Sequence, residues 1–340
     1  MAKLTERENM LRVLKGEDPA WVPRYGSLPN PQAKYPRAMS TVRPSILNRA
    51  DEQGVTRDIF GVEYVATAET GGMMLPKPGK FILDDVRKWR DVIKVPDLSD
   101  LDWAAMAQKD VEAGNIDYEN TVVAAGTHVG YFQHLMNFMG FTEGLIAMHE
   151  EPEAVLELYE YLSDFYVEIA KKSVEYFKPD MLCITDDTAT AMAPFISLEM
   201  YRKLVKPYHA RLAQVAIDNG LFIDMHNCGK CEVFLEDWLE FKVNLWEPAQ
   251  VMNDLIGIQK KYGDRLVLAG CWDSQGPVGW PGASEELIRQ SVRDVIDTYT
   301  KHGGFMFWGS VMGVAGDPEV EKRQRWVIDE YEAYRETPYR

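Results

Sequence analysis

Short apolar runs, each followed by a segment with helical spacing, recur along the second half of this chain and leave few folds open to it. The runs at 181–185, 221–225, 243–246, 266–269 and 305–308 are almost continuously apolar. A strand buried on both faces has no polar side to present, so runs of this kind alternating with helices mark a parallel sheet covered by helices. Runs at 21–25 and 121–126 raise the count to seven, and 62–66 can supply an eighth. That number favours a closed (β/α)8 barrel of the TIM type over an open doubly wound sheet. The expected organisation is one α/β barrel domain over 1–340, with residues 1–60 forming an N-terminal helix and long loops that cover the barrel.

The segments between the runs carry ordinary helix signals. Thr5 and Glu8 make a capping box ahead of a short amphipathic helix, which Gly16 and Pro19 end. Val155, Leu158, Tyr159, Leu162, Phe165, Tyr166 and Ile169 recur at helical spacing within 152–177. Further helices are expected at 131–139, 142–150, 197–219, 231–241, 253–262, 283–302 and 318–335. Residues 27–57 are rich in Pro, Ser, Arg and Asn and read as a long loop with one helix over 44–53. Long loops of this kind are often lids or substrate walls.

Charge narrows the classes of function. With 37 basic and 53 acidic residues the formal charge is −16, and no Lys/Arg block offsets it, so a phosphate backbone is a poor partner. No stretch approaches the ~18 uninterrupted apolar residues of a spanning helix, and the charged N-terminus has no apolar run behind it. A soluble cytoplasmic protein is expected, and a homodimer is compatible with it. Four cysteines, Cys183, Cys228, Cys231 and Cys271, are too few for a disulfide framework in so long a chain. Thr70-Gly71-Gly72-Met73-Met74 is the nearest approach to a Gly-rich phosphate loop and lacks the spacing of a nucleotide motif.

The chemistry concentrates where strands should end. His226 and Cys228 follow the apolar run 221–225 two positions apart. In extended chain, residues i and i+2 project to one side, so imidazole and sulfur can meet on one ion, and a nitrogen–sulfur donor pair points first to zinc. Glu247 and Cys271 stand at the ends of the next two runs and are further candidate ligands. Each also has a plainer reading: a strand-end Glu often caps the next helix, and a buried Cys is often a small hydrophobe. Asp186 and Asp187 follow the run at 181–185. A carboxyl raised in pKa by its neighbour could protonate a leaving alkoxide or phenolate there, or one of the pair could cap a helix start or hydrogen-bond a loop. Tyr131, Phe132, Trp246, Trp272 and Trp308 adjoin the same strand ends and could hold a planar substrate or cover a corrin face, or simply pack. Cys231 makes a C-x-x-C with Cys228, although the pairing with His226 already accounts for Cys228.

Several segments together resemble a known family. Residues 5–8 to Val22-Pro23, the stretch Ser197-Leu198-Glu199-Met200-Tyr201 to Pro207-Tyr208, His226-Asn227-Cys228-Gly229 and Gly303-Gly304-Phe305 are similar to the uroporphyrinogen decarboxylase superfamily over nearly the whole chain. The resemblance implies a modified (β/α)8 barrel. His-x-Cys-Gly resembles the zinc-dependent, corrinoid-linked methyltransferase branch, of the O-demethylase or methylcobalamin:coenzyme M type. The decarboxylase branch carries Arg-Gln-Ala-Gly-Arg after its first strand; here Arg24-Tyr25-Gly26-Ser27-Leu28 keeps only the first Arg. Coenzyme M enzymes place a third Cys ligand near the last strand, where this chain has Phe307-Trp308-Gly309-Ser310. The order His-x-Cys, Glu, Cys is also similar to cobalamin-independent methionine synthase. The expected activity is methyl transfer from a small methylated substrate, with a methoxylated aromatic favoured, to Co(I) of a corrinoid. No Asp-x-His-x-x-Gly corrinoid segment is present, so the cobalt carrier is expected to be a partner protein. Alternatives are methylcobalamin-to-thiol transfer, porphyrinogen decarboxylation, and a non-catalytic subunit that binds a corrinoid protein.

Overall fold

The computed structural model describes residues 4–26, 34–52, 54–67, 70, 72–126, 130–314 and 316–339. Among the described residues there are eleven strands: β1 (Met39–Val42), β2 (Ala50–Glu52), β3 (Val55–Arg57), β4 (Glu63–Ala66), β5 (Met74–Pro76), β6 (Val122–Gly126), β7 (Met181–Thr185), β8 (Phe222–His226), β9 (Leu245–Ala249), β10 (Val267–Cys271) and β11 (Phe305–Trp308). Seven of them form a parallel sheet in the order β1-β6-β7-β8-β9-β10-β11. An extended segment at Pro23–Tyr25 continues it beyond β11: Tyr25 N–H donates to the Phe307 carbonyl and Phe307 N–H to the Pro23 carbonyl. With this eighth stave the architecture is the (β/α)8 barrel that the strand count implied.

Two assignments of the staves change. The segment 21–25 makes a single bridge rather than a regular strand, because Pro23 has no N–H to give to the ladder. Residues 62–66 are not a barrel strand. Glu63–Ala66 lies in a separate antiparallel sheet, order β2-β3-β4-β5, and the missing stave is β1, inside the stretch read as loop. The helix expected at 44–53 is also absent: Ser45–Leu47 makes one 3-10 turn, and the chain then enters β2 and β3. The turn carries two local backbone hydrogen bonds, with the Asp110 and Arg43 side chains bonding its two ends, which is short of the cooperative length of a helix. Residues 27–33 and 53 of that stretch, and Gly71, lie outside the described residues.

The strands divide their side chains between two cores. Val122, Ala124, Met181, Leu245, Val267, Ala269 and Met306 face the barrel interior, whereas Val123, Ala125, Leu182, Ile184, Ile223, Met225, Trp246 and Leu268 face the helices. Met10, Val13 and Leu14 of the Glu6–Leu14 helix join the interior set and close the N-terminal end of the barrel. The Thr5/Glu8 capping box starts that helix, and Arg7 pairs with Asp180, just ahead of β7. The closed end leaves the C-terminal ends of the strands as the open mouth, where barrel chemistry is placed. No helix among the described residues is long and apolar enough to cross a membrane.

Candidate metal centre

Strand alternation delivers the central residue. Ile223 and Met225 pack outward against helices, so Phe222, Asp224 and His226 project inward, and His226 is the last residue of β8. In the parallel ladder it lies beside Thr185 on one side and Glu247 on the other. The loop that carries Cys228 is held by its own side chains. Asn227 accepts from the Thr188 N–H and donates to the Thr188 hydroxyl, and Gly229 N–H donates to Oε1 of Gln250. Gly229 has φ +92°, and a Cβ there would stand 2.6 Å from the carbonyl oxygens of Ala189 and Thr190. Only glycine lets the loops after β7 and β8 come so close.

Asp187, His226 and Cys228 converge, with one donor atom from each lying within 4.8 Å of the others. His226 Nε2 is 3.8 Å from Cys228 Sγ and 3.6 Å from Asp187 Oδ1. Donors at the usual zinc bond lengths of about 2.0–2.3 Å stand about 3.3–3.8 Å apart at the corners of a tetrahedron. Nitrogen, sulfur and oxygen donors at this spacing therefore fit a zinc ion with three protein ligands and one open position, the pattern of catalytic rather than structural zinc. The imidazole and carboxylate are each about a third exposed, at 28% and 33% of the side chain, so the donor atoms can be reached from the mouth.

The second ring nitrogen is used as well. His226 Nδ1 lies 2.7 Å from Glu247 Oε1, and Glu247 is nearly buried. Such a carboxylate behind a ligating histidine sets its tautomer and orientation. Burial alone would lower the His226 pKa, but Glu247, Cys228 and Asp187 together hold it well above the usual histidine range. Burial raises the Cys228 thiol, against the opposing pull of His226. Asp187 has further partners: Oδ1 accepts the Cys228 N–H at 2.8 Å and Oδ2 accepts from the Gln133 side chain at 2.9 Å.

The other residues singled out from sequence are distributed differently. Asp186 is fully buried and its carboxylate accepts the N–H groups of Phe132 and Gln133, capping the Tyr131–Met139 helix, whose own N-cap is Gly130. Its other contact is His209 Nε2 at 3.1 Å. Cys271 is fully buried in the helix-facing core, within electrostatic reach of Tyr299, and is not among the three converging donors. Alternation from Val267 and Ala269 would have pointed it inward. The ladder shifts register between Leu268 and Gly270, and Cys271 takes a left-handed φ of +63°, which turns it out.

Four of the five aromatics lie in the packed layers. Trp246 donates to the Asn227 carbonyl and packs against Trp238, while Trp272 donates to Ser291. Tyr131 sits among Tyr159, Tyr208 and His209, and Phe132 stacks on Phe195. Trp308 alone of the five is partly exposed on the interior side, with its ring 5.4 Å from Tyr25.

Sequence reading did not pick out the layer beneath the cluster. Asp224 Oδ2 accepts from Tyr25 O–H at 2.8 Å and from Cys183 S–H at 3.2 Å inside the barrel. Burial, reinforced by Glu247, pushes its pKa up to about 8. The polar Asp224 inside the otherwise apolar run 221–225 was the available signal. Gln133 and His209 carried none, since both sit at ordinary helix positions.

Comparison with known proteins agrees with this architecture. The model of the family described as uroporphyrinogen decarboxylase matches residues 59–327. Among solved structures, a methyltransferase from Methanosarcina mazei superposes with a TM-score of 0.57 at 15% sequence identity, covering 97% of this chain and 99% of that one. No curated protein matches the sequence.

Proposed function

Because the chain belongs to the uroporphyrinogen decarboxylase family, we propose that it is a zinc-dependent methyltransferase, taking a methyl group from a small methylated substrate and passing it to Co(I) of a corrinoid on a partner protein. The observation that carries this reading is the meeting of Asp187, His226 and Cys228 at the barrel mouth. The donor set suits zinc, and the decarboxylase branch's Arg-rich segment, reduced here to Arg24, gives little support to binding several carboxylates of a tetrapyrrole. The favoured donor is a methoxylated aromatic.

His226, Cys228 and Asp187 would hold the zinc. Bound there, zinc acts as a Lewis acid on the departing oxygen or sulfur, making a poor leaving group better. Glu247 fixes the imidazole through Nδ1, so that Nε2 faces the site. Asp186 holds the start of the Tyr131–Met139 helix, and Gln133 from that helix holds Asp187. Asp187 thus takes the role of ligand, and Asp186 that of anchor, in place of the paired acid suggested by sequence alone.

Two measurements test the proposal. Purified protein is expected to contain about one zinc, lost in His226→Ala and Cys228→Ala. Mixed with a Co(I) corrinoid protein and methoxylated aromatics, it should produce the methylcobalt absorption. Full activity without metal would overturn the zinc assignment. Transfer only from methylcobalamin to a thiol would place the enzyme on the acceptor side.

A further inference from the structure

A line of buried hydrogen bonds runs behind the metal centre and begins two helices away from it. Trp238 Nε1–H donates to the Tyr201 hydroxyl oxygen at 3.0 Å, the Tyr201 hydroxyl lies 3.2 Å from His209 Nδ1, and His209 Nε2 lies 3.1 Å from Asp186 Oδ2. All four side chains are fully buried. An indole only donates, so the tyrosine oxygen accepts there and its own proton goes to Nδ1. The imidazole proton is therefore on Nε2, which donates to Asp186.

The backbone is shaped to make this contact. Tyr201–Val205 is a π-helical turn between Leu198–Met200 and Lys206–Asp218, closed by the Lys206 N–H on the Tyr201 carbonyl. Eight residues of regular α-helix would set Tyr201 and His209 about 80° apart; the wider turn brings them to one face. Packing alone does not call for such a line, because apolar groups of the same shape can replace both partners of a buried hydrogen bond at little cost.

Asp186 carries the arrangement to the ligands. Its N–H donates to the His226 carbonyl at 2.9 Å, and its carboxylate takes the N–H groups of Phe132 and Gln133, each at 3.0 Å. A Cβ on Gly130 would stand 2.9 Å from Asp186 Oδ1, so the carboxylate seats closely against the helix start. The Gln133 side chain then holds Asp187 Oδ2. Asp186 is thus fixed to one ligand through its backbone and to another through Gln133.

We propose that His209 and Tyr201 are positioning residues for the metal centre, fixing Asp186 and, through it, the Gln133 amide and the Asp187 ligand oxygen. The inference rests on reading Asp187, His226 and Cys228 as a metal site, but it is measured without methyl transfer. The full chain loaded with Co(II) in place of zinc tests it, since the visible bands of Co(II) report the geometry of its ligands, with zinc affinity read by chelator competition. His209→Phe should shift the bands and weaken zinc about tenfold. Tyr201→Phe, nearly isosteric and one bond further out, should shift them in the same direction with a smaller loss. His209→Gln, whose amide can still donate to Asp186, should recover most of the His209→Phe loss. Phe234→Leu loosens the same packing, because its ring centre is 4.5 Å from that of Tyr201; it should lower the melting temperature and leave bands and affinity as in wild type. Wild-type bands and affinity in both Tyr201→Phe and His209→Phe would overturn the positioning role, and so would a Phe234→Leu that moves the bands as far as Tyr201→Phe. If His209→Phe does not fold, Tyr201→Phe decides alone. A wild-type chain that binds no Co(II) through Cys228 would remove the metal centre and this inference with it. The expected series in a chain that transfers no methyl group would leave the inference standing and remove the proposed reaction.

Discussion

His226 and Glu247 are ladder neighbours on β8 and β9, and their side chains meet at 2.7 Å through Nδ1 and Oε1. The contact commits one imidazole nitrogen to the protein interior and leaves Nε2 free to face Cys228 and Asp187. Glu247→Gln should keep the fold but weaken zinc binding by about 10–100-fold, the usual cost of losing such a partner. Competition with a chromophoric chelator reads this directly. Unchanged affinity would mean that Glu247 does not orient the ring.

Cys271 and Cys228 should behave oppositely. Cys271→Ala removes a sulfur from the helix-facing core and should cost about 1 kcal/mol in urea denaturation, with full zinc content. Cys228→Ala should lose the metal. Metal loss in Cys271→Ala, with folding retained, would bring that thiol back as a ligand.

Gly229→Ala tests the loop contact. The added Cβ would overlap two backbone carbonyls and occupy a φ of +92°, so a destabilisation of about 2 kcal/mol or more is expected, together with weaker zinc binding. Thermal unfolding with and without added zinc separates the two effects. A wild-type melting profile would show that the loops can part at no cost.

Asp58 supplies a pH signature. Burial raises its pKa above the ordinary carboxyl value, despite hydrogen bonds from Val62, Phe60 and Tyr64 that oppose the shift. A raised folded-state pKa means that this group's contribution to stability is complete below the unfolded value of about 4 and is lost as pH rises through the folded value. Asp58→Asn should lack that decline, so the variant's melting temperature should gain on wild type as pH climbs from 4 towards neutrality. A difference that stays constant with pH would contradict the shift.

Much of this site was legible in the sequence because β8 obeys strand alternation through its last residue, which brings His226 and then Cys228 to the mouth. The staves from β6 to β11 were legible for a related reason, since each is buried on both faces and therefore almost wholly apolar. β1 escaped notice because Ser40 and Thr41 interrupt its apolar pattern amid a polar, Pro-rich stretch. Cys271 misled because one shift in a ladder reverses the face on which a side chain emerges, and nothing in the residues 266–271 announces it beyond Gly270. Asp187 carried three readings in sequence: acid, helix cap or a hydrogen bond to a loop. Its neighbour Asp186 does the capping, which leaves Asp187 directed at the histidine and thiol.

X-ray absorption at the zinc edge tests the central claim most directly. A centre built from His226, Cys228 and Asp187 predicts one sulfur at about 2.3 Å and the remaining nitrogen and oxygen ligands at about 2.0–2.2 Å, with the sulfur signal gone in Cys228→Ala. Two or more sulfurs around the metal, or a sulfur that survives that substitution, would contradict it.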